Sequence, residues 1–175
     1  MQTQQQQEFY KLTEAATQSL NSLAESSSFD RVFSYWRLPS FHDQTRTDLF
    51  TPRRLAGRSS FVAVTTWRRL ADTEKLRDPV ERLKYPRELE PTIEHQSTDV
   101  ASDIVASVIS DLSVITLPSI RPLESTLGLD GTSYRFFFNQ GYFSLDFSWW
   151  CEGPEVWKGA ARQIEEIVSR LESVG

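Results

Sequence analysis

The stretch from Thr132 to Trp149 limits the possible folds more tightly than any other part of the chain. Thr132-Ser133-Tyr134-Arg135-Phe136-Phe137-Phe138 and Tyr142-Phe143-Ser144-Leu145-Asp146-Phe147-Ser148-Trp149 both alternate in character, with Asn139-Gln140-Gly141 between them. Alternation at a period of two marks strands that bury one face, and the intervening glycine marks a tight turn. A two-residue turn at Gln140-Gly141 pairs Phe138 with Phe143, Phe136 with Leu145, Tyr134 with Phe147 and Thr132 with Trp149. That register gathers the large apolar side chains on one face and sets Arg135 opposite Asp146 on the other. A three-residue loop with Gly141 left-handed is also a common hairpin form, but it sets Arg135 against Leu145 and Tyr134 against Asp146. A slip of one residue sends a whole strand's side chains to the wrong face. The two-residue register, or a four-residue loop of the same parity, is therefore expected.

The rest of the chain supplies helices and strands to pack against this hairpin. Phe9, Leu12, Ala16, Leu20 and Leu23 recur at helical spacing, so residues 2–26 read as an amphipathic helix, and 1–28 as a unit docking on the domain. Phe29–Leu38 and Ser60–Leu70 read as strands from their aromatic and β-branched residues. Residues 39–59 contain Pro39, Pro52 and Gly57 with no sustained period, and read as a mobile Arg-rich loop. Ala71–Glu94 is charged and broken by Pro79, Pro86 and Pro91, with room for a short helix at Val80–Lys84. A firmer helix is expected from Asp99 to about Leu112, capped by Thr98. Gly153-Pro154-Glu155 opens a last helix in which Trp157, Ala160, Ala161, Ile164, Ile167, Val168 and Leu171 make an apolar stripe.

At 175 residues the chain is the size of one domain. The expectation is a single α+β domain over 1–175: an antiparallel sheet of about four to six strands, with N-terminal, middle and C-terminal helices packed mainly on one face.

Leu129-Asp130-Gly131-Thr132, Tyr134, Trp149-Trp150, Gly153-Pro154 and Trp157 follow one another in a recognisable order. The pattern resembles small bacterial proteins in which a DGT-Y strand, a return strand ending in WW and a P-x-x-W helix succeed each other. Some of these look like immunity or other interaction proteins. The resemblance covers about the last quarter of the chain, implies kinship of fold, and carries no catalytic residues onto this sequence.

Several chemistries lack their residues. His42, His95 and the single Cys151 show no metal-ligand spacing, and no phosphate loop, nucleophile elbow, dinucleotide turn or zinc-protease helix is present. No cofactor or metal is called for. Cys151, beside two Trp, reads as a small buried hydrophobe. His42-Asp43 and Glu94-His95 could each supply an acid and a base, but adjacent residues on extended chain point apart. Glu88, Glu90 and Glu94 could hold Mg²⁺ only weakly. No run of eighteen apolar residues occurs, and Met1–Glu8 has neither the basic nor the apolar region of a signal peptide. With one cysteine, a cytoplasmic setting without a membrane partner follows.

Charge is unevenly spread. The total is −5, yet Arg31–Arg87 carries thirteen Lys/Arg against six Asp/Glu, a balance of +7 that leaves −12 for the rest. An acidic total argues against nucleic acid, while a basic middle third suits an acidic protein partner. Arg53, Arg54 and Arg58, with Arg68-Arg69, are the candidate anion-binding residues, since a guanidinium offers a bidentate fork. Phe137, Tyr142 and Trp150 fall away from the hairpin's apolar face and form the second candidate surface. The sequence thus points to a non-enzymatic protein-interaction domain, of immunity type, binding through the Arg-rich loop or the sheet face. The alternative is a small-molecule or phosphoester-handling enzyme with its site between that loop and the sheet.

Overall fold

The computed structural model describes residues 4–22, 28–53, 59–80, 90–116 and 130–174. Six strands form one antiparallel sheet: β1 (Phe29–Pro39), β2 (Gln44–Pro52), β3 (Ser60–Trp67), β4 (Ile93–Val100), β5 (Thr132–Gln140) and β6 (Phe143–Trp150). Their spatial order is β4-β3-β2-β1-β5-β6. The first four strands meander outward from β1, and the late hairpin adds on the other side of it, so β1 is central. Among the described residues the helices are α1 (Gln4–Asn21), α2 (Arg69–Arg77), α3 (Ser102–Ser113) and α4 (Lys158–Glu172), with a 3₁₀ turn at Glu155–Trp157. This is an α+β fold with helices at the N-terminus, in the middle and at the C-terminus. Among the described residues, no helix is long and apolar enough to cross a membrane.

Residues directly opposite in a sheet share a face. Val62, Leu49, Phe33, Phe138 and Leu145 therefore form one row across five strands, with Tyr35, Phe136 and Phe147 beside it. Val105, Val108 and Leu112 of α3 and Ala161, Ile164, Ile167, Val168 and Leu171 of α4 close over this face as the larger core. The gathering of helices on one face describes α3, α4 and that core. On the opposite face Trp67 is fully buried under Leu12, Ala16 and Leu20 of α1 and Leu76 of α2. A sheet with apolar side chains on both faces has to be covered twice.

Several expectations need correction, among them the strand expected over Ser60–Leu70, which stops at Trp67 because α2 takes over Arg69 and Leu70. Residues 39–59 are not one loop, because Gln44–Pro52 is a strand between β1 and β3. Its Arg46 and Asp48 disguise a buried position as a polar one. The helix expected from Asp99 begins at Ser102, and Thr98 and Asp99 belong to strand β4, paired with Val62 and Phe61. In the hairpin, Gln140 faces Phe143, Phe138 faces Leu145, Phe136 faces Phe147 and Tyr134 faces Trp149, a shift of two residues along β6. The turn is Gly141-Tyr142, with Gly141 at φ 59°, the position where a type II′ turn places glycine. Parity is unchanged, so every side chain keeps its expected face. Most of the short helix proposed at Val80–Lys84 lies outside the described residues.

The DGT-Y and WW elements have a packing reason. Gly131 enters β5 directly beneath Trp150 and Cys151. A Cβ there would stand 2.5 Å from Cys151 Sγ and 2.7 Å from Trp150 Cζ2. Gly131→Ala is expected to cost about 1–3 kcal/mol, as overpacking against a ring usually does, lowering the melting temperature by several degrees. Gly159→Ala, at an α4 position where an added Cβ would meet no neighbouring group within 4 Å, is the matched control. There alanine's better helix propensity should leave the melting temperature unchanged or higher. Thermal denaturation of the two variants checks both outcomes.

Candidate functional site

The sheet face turned away from α3 and α4 carries a row of charge and aromatic surface across its centre. Arg46 on β2 and Arg135 on β5 flank Trp36 on β1 as direct cross-strand neighbours. Their guanidinium carbons stand 4.9 and 5.0 Å from the indole centroid. Such stacking is favourable for a planar cation over an electron-rich ring. Arg46 is 1% exposed and Asp48 0%. Arg46 donates from Nε and Nη2 to Asp48 Oδ1 at 3.0 and 2.8 Å, and from Nη1 to the Leu20 carbonyl at 2.5 Å. Ser34 donates its hydroxyl to the same Asp48 oxygen. Burial lowers the Arg46 pKa, and Asp48 opposes the shift. Because Leu20 lies in the last turn of α1, the bond also places a cation at the negative end of that helix. This cluster fastens α1 to the sheet.

Asp72, near the start of α2, is a second buried carboxylate. It accepts from Trp67 Nε1 at 3.0 Å, from Thr92 N and Oγ1 at 2.7 Å each, and from Lys75 Nζ at 3.2 Å. Burial pushes its pKa up, but these donors outweigh burial and hold it below the ordinary carboxylate value. Nearby, Arg68 spans Asp43 at 3.1 Å and Glu94 at 2.5 Å, which raises the Arg68 pKa and lowers that of Glu94. Arg69 donates to the Pro39 carbonyl and lies over the rings of Phe9 and Trp67.

On the α4 side an aromatic ladder runs through Tyr35, Tyr134, Trp149, Phe147 and Trp157, with successive centroids 5.2–6.0 Å apart. Tyr35 Oη, Trp149 Nε1 and Trp157 Nε1 are buried there without a hydrogen-bond partner among the described residues. Burial raises the pKa of both Tyr35 and Glu165. Across the helix layer, Asp111, Val114, Gln163, Glu166, Ile167 and Arg170 line an open groove of about 370 Å³ between α3 and α4.

The hairpin β5–β6 presents a different surface. Arg135 holds Asp146 through Nε and Nη2 at 3.0 and 2.6 Å. The pair forms as anticipated, but diagonally, since Arg135 faces Ser148 and Asp146 faces Phe137. At the tip Tyr142 is 110% exposed and Phe143 55%. Phe137 and Trp150 are half-buried and lie two cross-strand rows apart, with Arg135 and Ser148 between them. Phe137, Tyr142 and Trp150 therefore do not make one patch, and Tyr142 alone of the three projects fully.

The remaining sequence candidates are scattered. Arg53 is exposed and bonded to Asp30 at 2.7 Å, while Arg54, Arg58 and Glu88 lie outside the described residues. His42, Glu90 and His95 are exposed, and His95 Nδ1 sits 3.1 Å from Thr65 Oγ1. Among the described residues, no three His, Cys, Asp or Glu side chains are grouped to hold a metal ion. Cys151 is exposed, not buried: it follows the end of β6, where the chain turns with φ 51°. Sequence reasoning missed the Arg46–Asp48 cluster. The i, i+2 spacing of opposite charges on one strand face was its available signal. Among known proteins, the chain matches no family model, and no match was found in the curated proteins or the solved structures.

Asp48→Asn leaves Arg46 buried without a counter-charge. It is expected to cost about 3–5 kcal/mol, as broken buried pairs do, measurable by urea denaturation. Asp72 generates a pH dependence. Its folded pKa lies below the ordinary 3.8, so its stabilisation is complete above that value and is lost as pH falls below it. Asp72→Asn should cost about 1–3 kcal/mol at neutral pH and flatten the acid limb of a stability profile below pH ~4. An unchanged acid limb would show that other carboxylates control it.

Proposed function

We propose that this chain is a non-enzymatic protein-binding domain of immunity type, which engages its partner through the tip of the β5–β6 hairpin. The observation that carries the reading is Tyr142, fully exposed beside the half-exposed Phe143 on a turn whose strands are anchored in the core by Phe136 and Phe138. A large ring held on a rigid turn loses little conformational freedom on binding, which is why aromatic side chains dominate interface energetics. Asn139, Gln140, Gly141 and Ser144 around it are uncharged and exposed, so the tip suits a partner that offers an apolar pocket with a polar rim. The resemblance of residues 129–157 to interaction proteins of small bacterial type supports the same reading. An acidic partner would meet the Arg-rich stretch as a secondary contact, in which Arg53 is the described candidate. A cytoplasmic setting suits an exposed free thiol at Cys151.

Placing a photo-crosslinking amino acid at position 142 in the source cells should yield one dominant protein adduct, while the same group at exposed Val156 should not. Against that partner, Tyr142→Ala should weaken binding by at least about tenfold with stability changed by no more than roughly 0.5 kcal/mol. Equal affinity of parent and variant, or crosslinking at 156 alone, overturns the assignment to the tip.

A further inference from the structure

The hairpin has a second feature, independent of its tip and of the partner reading. β6 is an edge strand, and among the described residues nothing pairs with its outer side. Which residues face outward follows from the turn. In a two-residue hairpin the pair flanking the loop, here Gln140 and Phe143, is hydrogen-bonded, and bonded pairs then alternate along the ladder. The bond from Cys151 N to Thr132 O at 2.8 Å continues the same series beyond the last paired residues. Phe143, Leu145, Phe147 and Trp149 therefore bond to β5. Ser144, Asp146, Ser148 and Trp150 turn their N–H and C=O groups outward.

Edge strands are normally blunted by charge, proline or a bulge. The other edge, β4, carries exposed Glu94, His95 and Asp99. β6 contains no proline and no lysine, and its one charge, Asp146, is neutralised by a bidentate Arg135.

From this we infer that β6 is a self-association surface, on which a second copy of the chain adds its own β6 antiparallel across a two-fold axis at Phe147. That axis sets Asp146 opposite Ser148 and Ser144 opposite Trp150 of the second copy, all four with outward-facing amides. It sets Leu145 opposite Trp149 on the α4 side. Moving the axis to Asp146 would put two aspartates face to face, which costs stability. Moving it to Ser148 shortens the overlap. The register centred on Phe147 is self-complementary, as an isologous two-fold interface requires. Its seam ends at Ser144 and Trp150, so Gly141 and Tyr142 remain beyond it.

The test is sedimentation of the full chain over a wide concentration range, with amide exchange followed in parallel. The parent should show a concentration-dependent dimer, with the amides of Ser144, Asp146, Ser148 and Trp150 gaining protection as it forms. Ser148→Pro removes an outward N–H without touching the β5 ladder, where proline is tolerated on an edge. It should weaken association by at least about tenfold, while Ser148→Ala associates like the parent. A parent that is monomeric throughout, or amides on β6 that stay unprotected as a dimer forms, overturns the inference. So does a dimer that survives unchanged in a folded Ser148→Pro variant. The parent's exchange pattern decides the matter even if that variant fails to fold. Neither readout involves the tip's partner, so failure here leaves the Tyr142 assignment standing.

Discussion

Arg46 and Asp48 sit at the middle of the sheet with almost no access to water, and much of the architecture is arranged around making that tolerable. Desolvating two charges costs several kcal/mol each, and their attraction repays this only when the remaining donors and acceptors are also satisfied. Ser34 from β1 supplies one donor to Asp48 Oδ1, the Leu20 carbonyl of α1 supplies one acceptor, and the Trp36 ring covers the guanidinium. Asp48 Oδ2 is buried without a hydrogen-bond partner among the described residues. The pair thus requires β1, β2 and the end of α1 to be in place together. It joins the N-terminal helix to the sheet through the backbone of Leu20, whose side chain belongs to the small cluster around Trp67.

The same logic accounts for the uneven charge along the chain. Read linearly, Arg31–Arg87 is a basic block. In space, Arg46 is matched by Asp48, Arg53 by Asp30, Arg68 by Asp43 and Glu94, and Lys75 by Asp72. Arg69 is committed to a backbone carbonyl and two rings. Asp30 and Glu94 come from outside the block and the other partners from its acidic minority, so these cations are committed locally. A cation spent in this way has little left for steering an anionic ligand, although exposed pairs such as Arg53–Asp30 are weak and can be exchanged.

Legibility from sequence followed hydropathy. The hairpin, α4, β1 and β3 were readable because their apolar residues keep a clean period, and the faces of the hairpin came out correctly even though its register was displaced by two. Alternation fixes parity, but it cannot distinguish registers that differ by two when phenylalanines occupy several alternate positions. Only the turn decides between them, and Gly141-Tyr142 outcompeted Gln140-Gly141 because a glycine suits the first position of a type II′ turn. β2 and β4 were missed for the opposite reason. Thr45, Thr47, Arg46 and Asp48 in one, and Glu94, His95, Gln96 and Asp99 in the other, look like loop or helix cap until neighbouring strands show that they pair. The candidate surface was legible only in part. Tyr142 was named, but that it projects alone, apart from Phe137 and Trp150, depends on the register that sequence left open.

That register has a consequence for how the hairpin can work. Phe136 and Phe138 of β5 are buried in the core, while Tyr134 of the same strand stacks in one series with Trp149 and Phe147 of β6. The hairpin is therefore rigid from its root at Gly131, where Trp150 closes over the backbone, up to Gln140 and Phe143. A ring mounted beyond so stiff a support is presented in nearly one orientation, which lowers the entropic cost of docking it. The stacking that stiffens the strands also keeps their apolar side chains occupied on the α4 face. What the hairpin can offer to another molecule is thus its tip and the outward amides of its last strand, two surfaces that do not compete for the same atoms.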